Sequence, residues 1–363
     1  MLRTTFISLI KRSKHSHNNV AKVIYSGIQP TGGLPHLGNY LGALKPWAEN
    51  QNNNDFSEIY YSIVDLHAMT ASSKSSIDKN SLEMTCALLA CGIDPEKSCL
   101  YRQSHVPQHT MLYWLFSCYT SLPRLYHLTQ WRQKAQQNSV VSDANVPVVD
   151  LGLYSYPILQ AADILLFKGT HVPVGEDQLQ HLRLCQEIAR KFNNTIFPSG
   201  SIKFPIPQPL INQDDICAKV HSLRNPTAKM SKSDTDKRSR INLDDDPDTI
   251  REKFKKSITD PKSHVSYDET QRPGVSNLIS IHAAVTGKSI DCIVSEASNI
   301  NTGAYKMIVA DCVIETLRPI RTKIKEYMSD MNYVKSVLDK GSKKARLVAE
   351  KNWKDIASSV GLW

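Results

Sequence analysis

Residues 23–47 read V-I-Y-S-G-I-Q-P-T-G-G-L-P-H-L-G-N-Y-L-G-A-L-K-P-W, and no other stretch limits the available folds as much. Residues 23–28 form a short apolar run rich in β-branched residues, the pattern of a buried strand. Pro30, Gly32, Gly33 and Pro35 interrupt it, and Leu37, Tyr40, Leu41 and Leu44 then recur at helical spacing. The chain therefore goes strand, turn, helix, with His36, Gly38 and Asn39 in the first helical turn. Free backbone N–H groups and the positive end of the helix dipole suit an anion there, and the glycines admit a phosphate close to the main chain. Neither G-x-x-x-x-G-K-[ST] nor G-x-G-x-x-G is present. Taken alone, the turn is equally readable as a connection with no ligand.

The pattern repeats downstream. Residues 59–64 and 99–101 are further strand candidates, separated by a helix over 76–91 that stops at Gly92. Strand–helix alternation predicts an α/β fold with a parallel sheet, whose ligands sit beyond the carboxyl ends of the strands. The turns at Gln29 and at Asp65-Leu66-His67 both fall there. Helices are expected over 108–119 and 125–137, followed by a polar, mobile loop at 136–147. In Y-S-Y-P-I-L-Q-A-A-D-I-L-L-F over 154–167, Tyr156, Gln160 and Asp163 share one helical face. An acid among Ile158, Leu159, Ile164 and Leu165 is costly to bury without a donor, so Asp163 is a partnered acceptor or a surface acid. Val172-Pro173-Val174-Gly175 ends another strand and opens onto a helix beginning Glu176-Asp177-Gln178, while His171 and His181 read as structural. Beyond residue 240 only helices are expected. They cover 246–254 with Asp246 as N-cap, 276–286, 305–328 with a kink at Pro319, and 334–360 with a break near Gly341.

Composition decides less. A chain of 363 residues with 41% hydrophobic and 22% charged side chains has room for about two domains and a substantial core. No apolar run is long enough to cross a bilayer. The net charge of +9 invites a nucleic-acid reading, but the first 22 residues hold five cations and no acid, and the first acid is Glu49. That leader, with Leu2, Phe6, Leu9 and Ile10 opposite basic residues, has the composition of a mitochondrial transit peptide; the alternative is a basic tail that touches RNA. The eight cysteines are scattered without C-x-x-C spacing, so they read as reduced thiols and no metal site is expected.

A second motif gives the first its meaning. Ala228 to Asp234 reads A-K-M-S-K-S-D, which by itself could be a solvated basic loop. With P-H-L-G-N at 35–39, it resembles the paired signatures of the class I aminoacyl-tRNA synthetases. His36-Leu37-Gly38-Asn39 stands for the HIGH element, and Lys229-Met230-Ser231-Lys232-Ser233 matches KMSKS in full. Within that class the chain is most similar to the tryptophanyl family of bacterial and mitochondrial type. The likeness rests on S-G-I-Q-P-T-G from Ser26, H-L-G-N-Y-L-G-A-L from His36, Y-P-I-L-Q-A-A-D-I-L from Tyr156, V-P-V-G-E-D-Q from Val172 and the Lys229 motif. Five ordered matches are far more specific than any one.

The resemblance implies a mitochondrial transit peptide over 1–22, a Rossmann-like catalytic domain with a parallel sheet over 23–240, and an all-helical anticodon-recognition domain over 241–363. It implies activation of L-tryptophan by ATP to tryptophanyl adenylate and pyrophosphate, then transfer to tRNA(Trp), by a homodimer in the mitochondrial matrix. Mg²⁺ would accompany the ATP phosphates. The attacking carboxylate is ionised at neutral pH, so the chemistry needs alignment and charge neutralisation rather than a general base. The resemblance accordingly puts His36, Gly38 and Asn39 under the nucleotide and Gln29 and Thr31 at its edge. It puts Gly175, Glu176 and Asp177 at ribose and adenine, and Val220, Met230, Ser231 and Ser233 around the nucleotide. Lys229 and Lys232 would close over the phosphates, and Lys134 of T-Q-W-R-Q-K would reach them.

For the amino acid, the resemblance makes Asp163 the acceptor of the indole N–H, gives Tyr156 and Gln178 the α-amino group, and places Gln160 and His67 in the pocket. One position departs from the pattern: many bacterial members carry Met where this chain has Gln160. A Tyr, Gln, Asp triplet at this spacing also occurs in tyrosyl enzymes, which keeps tyrosine open as the alternative substrate. Arg321, Lys323 and Lys325 form a candidate anticodon patch, equally readable as a solvated helix face. Two rivals are an RNA-binding protein that kept the fold without catalysis, and a small nucleotidyltransferase using the His36 turn alone. The intact signatures oppose the first, and the helical half and the Lys229 loop oppose the second.

Overall fold

The computed structural model describes residues 21–70, 76–128, 150–196, 204–211 and 220–362. Strand β1 (Val23–Ile28) sits at the centre of a five-stranded sheet of order β3-β2-β1-β4-β5. The other strands are β2 (Glu58–Ile63), β3 (Cys99–Arg102), β4 (His171–Pro173) and β5 (Gln208–Leu210). The strand pairs of this sheet are all parallel, with Ile24 opposite Ile59 on one side and His171 on the other. The chain steps outward from β1 through β2 to β3, then returns to the far side of β1. That reversal leaves a crevice beyond the carboxyl ends of β1 and β4. Strand β5 had no counterpart in the sequence reading: it is three residues long, and Pro209 suits only an edge position.

After β1 the helix is continuous but not uniform. It runs as α1 (Leu37–Asn39), one π-helical turn (Tyr40–Leu44) and α2 (Lys45–Asn50). Helices α3 (Asp65–Ala68), α4 (Ile77–Ala90), α5 (Gln108–Tyr119), α6 (Leu122–Tyr126), α7 (Leu151–Leu166) and α8 (Leu179–Ile196) complete the sheet's surroundings. The expected helix over 125–137 is described only at its start, within α6. Lys134, the 136–147 loop and the leader through residue 20 lie outside the described residues.

The rest of the described chain is helical: α9 (Pro247–Lys255), α10 (Pro273–Thr286), α11 (Ile290–Glu296), α12 (Thr302–Ser329) and α13 (Met331–Ser359). Asp246 caps α9 as expected, its carboxylate accepting the Thr249 N–H at 2.9 Å. Two expectations are corrected. Helix α13 runs unbroken through Gly341, because that glycine serves close approach: a Cβ there would run into the main-chain carbonyl of Leu100 on β3. Arg321 is buried and donates to the Asp245 carbonyl at 2.9 Å, so it leaves the basic patch, while Lys323 and Lys325 remain exposed.

The helical half continues the core of the sheet. Ile24, Leu41, Tyr61 and Leu88 share one cluster with Phe254, Leu278, Val313 and Val337. Each fully buried side chain of this kind contributes about 1.5–3 kcal/mol. The opposite sheet face packs Tyr25, Tyr60 and Tyr101 against α5, α7 and α8, with Ala345 and Trp353 of α13 closing the end.

Candidate active site

The turn after β1 is held by its own side chains. Asn39 N–H donates to His36 Nδ1 at 3.2 Å, and His36 N–H donates to Asn39 Oδ1 at 3.1 Å, a reciprocal cap built from His and Asn. Burial, then Lys232, Arg240 and Lys229, push the His36 pKa down to about 3, so the ring is a neutral acceptor at pH 7. Gly38 allows the lysine loop to come near, since a Cβ there would sit 3.1 Å from the His36 ring and 3.6 Å from Met230 Cβ. From outside, Leu37 N–H donates to Ile241 O at 2.7 Å and Leu243 N–H to Pro35 O at 3.0 Å.

The lysine loop hangs on one apolar side chain. Met230 is buried, and its N–H donates to Val220 O at 3.1 Å, while Lys229 and Lys232 flank it toward the surface. Lys232 Nζ donates to the carbonyls of Gly33 at 2.9 Å and Thr31 at 3.4 Å, inside the turn expected to hold phosphate. Burial, then Arg240, bring its pKa down to about 8, which leaves it mostly charged at neutral pH. Ser231 and Ser233 bond to each other at 2.9 Å and shape the loop. Arg240, which sequence reasoning missed, closes the loop by donating to Asp234 O at 3.0 Å and Asn242 Oδ1 at 3.3 Å.

At the switch point lies a cleft of about 700 Å³, within the usual range for a small-molecule site. It gathers Gln29 after β1, Asn39, Gly42 and Ala43 from the helix, and His67 after β2. Tyr156, Gln160 and Asp163 come from α7, Gly175, Asp177 and Gln178 follow β4, and Lys229 comes from the lysine loop. The π-helical turn puts the two smallest side chains, Gly42 and Ala43, on the wall. His36, Gly38, Thr31, Val220, Met230, Ser231, Lys232 and Ser233 are not in the lining; they shape or hold the parts that are. Glu176 belongs to the turn Glu176–Gln178, and its side chain lies outside the described part.

Asp163 is 1% exposed and surrounded by donors. His67 Nε2 lies 2.9 Å from Oδ2, Gln103 Nε2 donates to both oxygens at 2.8 and 2.9 Å, and His109 Nδ1 stands 2.7 Å from Oδ1, off the line of a hydrogen bond. Burial alone would raise this carboxyl, yet the close approach of His109 and then His67 outweighs it and holds Asp163 below the usual carboxylate range. Tyr156 and Gln178 are joined through His181, whose Nε2 is 3.1 Å from the Tyr156 hydroxyl and whose Nδ1 is 2.9 Å from Gln178 Oε1. His181 is structural as expected, and what it builds is the pocket. Gln103 and His109 escaped the sequence reading, although Q-S-H-V-P-Q-H follows a strand at the edge where ligands gather.

Comparison with known proteins agrees with this geometry. The profile of the tRNA synthetases class I (W and Y) matches residues 17–340. The mitochondrial tryptophan–tRNA ligase of Saccharomyces cerevisiae is 40% identical over 99% of this chain and 97% of its own length. The tryptophan–tRNA ligase of Thermosynechococcus vestitus is 41% identical over 93% and 98%. Among solved structures, tryptophanyl-tRNA synthetase from Mycoplasma pneumoniae superposes with a TM-score of 0.80 at 27% identity, covering 94% of this chain and 98% of that one. The Campylobacter jejuni enzyme complexed with ADP and tryptophan gives 0.76 at 30% identity, covering 94% and 100%. With both signatures framing one cleft and similarity along nearly the whole length, the chain belongs to the class I aminoacyl-tRNA synthetases, in the tryptophan–tRNA ligase family.

Proposed function

We propose that this cleft activates L-tryptophan with ATP and that the tryptophanyl group is then transferred from the adenylate to tRNA(Trp), with AMP leaving, in the mitochondrial matrix. The observation that carries the reading is one cavity lined jointly by Asn39 of the His36 turn, Lys229 of the lysine loop, and the Tyr156, Asp163 and Gln178 group. Tyr156 and Gln178 orient the amino acid by its α-amino group, with Gln160 beside them and Asp163 receiving the indole N–H. Gln29, Gly175 and Asp177 flank the nucleoside. The tryptophan carboxylate attacks the α-phosphate, and pyrophosphate leaves toward Lys229 and Lys232. Lys232 is held by two neutral carbonyls, which a phosphate replaces as the stronger, charge-assisted partner. Mg²⁺ enters with the ATP phosphates as part of the substrate. Lys134 is assigned to the same phosphates by its motif.

The division of labour follows the chain: residues 23–240 perform the chemistry and 241–363 read the anticodon, with the exposed Lys323 and Lys325 on α12 as contacts. Relatives named as mitochondrial, from Saccharomyces cerevisiae at 40% and Dictyostelium discoideum at 38% identity, support the location. The working unit is a homodimer, supported by the apolar side chains Trp114 and Leu151, each 70% exposed.

The test is ATP–pyrophosphate exchange on the full chain, run with tryptophan and with tyrosine. Exchange that depends on tryptophan alone is expected. Exchange with tyrosine would make Gln160 the informative residue, and no exchange with either would overturn the catalytic reading.

A further inference from the structure

Asp163 poses a chemical problem that the reaction itself does not solve. A carboxylate offers about four acceptor positions; His67 and the doubly donating Gln103 bond to three of them, and His109 Nδ1 crowds the remaining one at 2.7 Å from Oδ1. An indole N–H can be received only where one of these donors yields. The three are not equivalent. His67 lines the cleft with Asp163, whereas Gln103 and His109 do not, so they approach the carboxylate from behind.

The back side is fixed in a way that the front is not. Leu66 N–H donates to Gln103 Oε1 at 3.2 Å, which settles the orientation of that amide: its NH₂ must face Asp163. Gln103 is fully buried, and one Nε2 reaching both oxygens sets the plane of the carboxylate. His109 is also fully buried, and its far nitrogen, Nε2, lies 2.9 Å from the Tyr101 hydroxyl. When that hydroxyl donates to Nε2, the ring proton sits on Nδ1, the nitrogen that meets Asp163. Stacking on Tyr101 with centroids 5.9 Å apart holds the ring in place.

We propose that Gln103 and His109 are positioning residues for amino-acid choice. From behind, they hold Asp163 turned so that its cleft-facing oxygen can exchange His67 for the indole N–H of the substrate. The inference rests on the reading of Asp163 as the indole acceptor. It assigns the discrimination against side chains without an N–H to a pair of residues that touch no substrate.

The experiment compares kcat/KM in ATP–pyrophosphate exchange for tryptophan and for its benzothiophene isostere, in which sulfur replaces the N–H at nearly the same shape. Three variants are measured beside the parent: Gln103→Met, His109→Gln and the milder Tyr101→Phe. The parent is expected to favour tryptophan by at least about 10-fold, the scale of one buried hydrogen bond. Gln103→Met and His109→Gln should bring that ratio down by about 10-fold, toward unity, with a smaller fall for Tyr101→Phe. If a variant loses tryptophan and the isostere in equal proportion, leaving the ratio unchanged, Gln103 and His109 are merely structural and the inference is overturned. A variant too unstable to assay leaves the decision with the ratio in the other two. A parent that accepts both substrates equally would instead refute Asp163 as the acceptor, a different failure with a different signature.

Discussion

His36 shows how the local fold at a signature motif can depend on one protonation state. It caps α1 with Nδ1 only while that nitrogen is bare, and burial beside Lys232, Arg240 and Lys229 keeps it so. In the unfolded chain the ring takes up a proton near pH 6.5, and in the folded chain not until about pH 3. Between those values the unfolded state binds the extra proton, so stability present at pH 7 is lost as pH falls through this window, at up to about 1.4 kcal/mol per unit. Urea unfolding at pH 7 and pH 5 should therefore show a larger loss for the parent than for His36→Asn, which keeps a side-chain acceptor without a titrating ring. Equal losses would remove His36 from the acid response. At this scale the sequence was legible wherever a residue belonged to a motif. Asp163 was also readable as an acid in need of a donor. Its donors were not, because Gln103 lies 60 residues away and only the sheet order brings the end of β3 beside α7.

Among the elements, strands β1 to β4 and most helices could be read because an apolar run or a 3.6-residue period survives in the sequence whatever packs against it. Besides β5, two features could not. The π-helical turn at Tyr40–Leu44 has the same apolar spacing as an α-helix, and only its neighbours reveal the extra width. Gly341 looks like a helix breaker by propensity, yet it is the point where α13 settles on β3. This gives a prediction of opposite sign to propensity. Alanine at an unconstrained helical glycine stabilises by about 0.5–1 kcal/mol. Gly341→Ala should instead destabilise by about 1–3 kcal/mol, because the new methyl group meets backbone that cannot swing away. A raised thermal midpoint in that variant would show that α13 can lift from the strand without loss.

Among the described residues, one apolar groove is left open at the surface. Beside the exposed Trp114, a groove between α5 and the end of α13 is lined by Met111, Leu115, Tyr119, Trp353 and Leu362. Exposed apolar side chains gathered in one groove have the chemistry of a contact site. Under the homodimer reading, light scattering should give twice the chain mass for the parent and the chain mass for Trp114→Glu, whereas an unchanged mass would place the contact elsewhere.

Helix α13 also decides when the fold can be completed. It is the last described helix, and it covers β3, an edge of the sheet whose other strands come much earlier in the chain. During synthesis the cover that α13 gives this edge comes only with Met331–Ser359, and an open strand edge is a template for wrong pairing. A chain delivered in pieces, or threaded slowly from one end, thus carries an adhesive margin for nearly the whole of its journey. Its dependence on a holding chaperone should end abruptly, with the docking of one helix, rather than fade domain by domain.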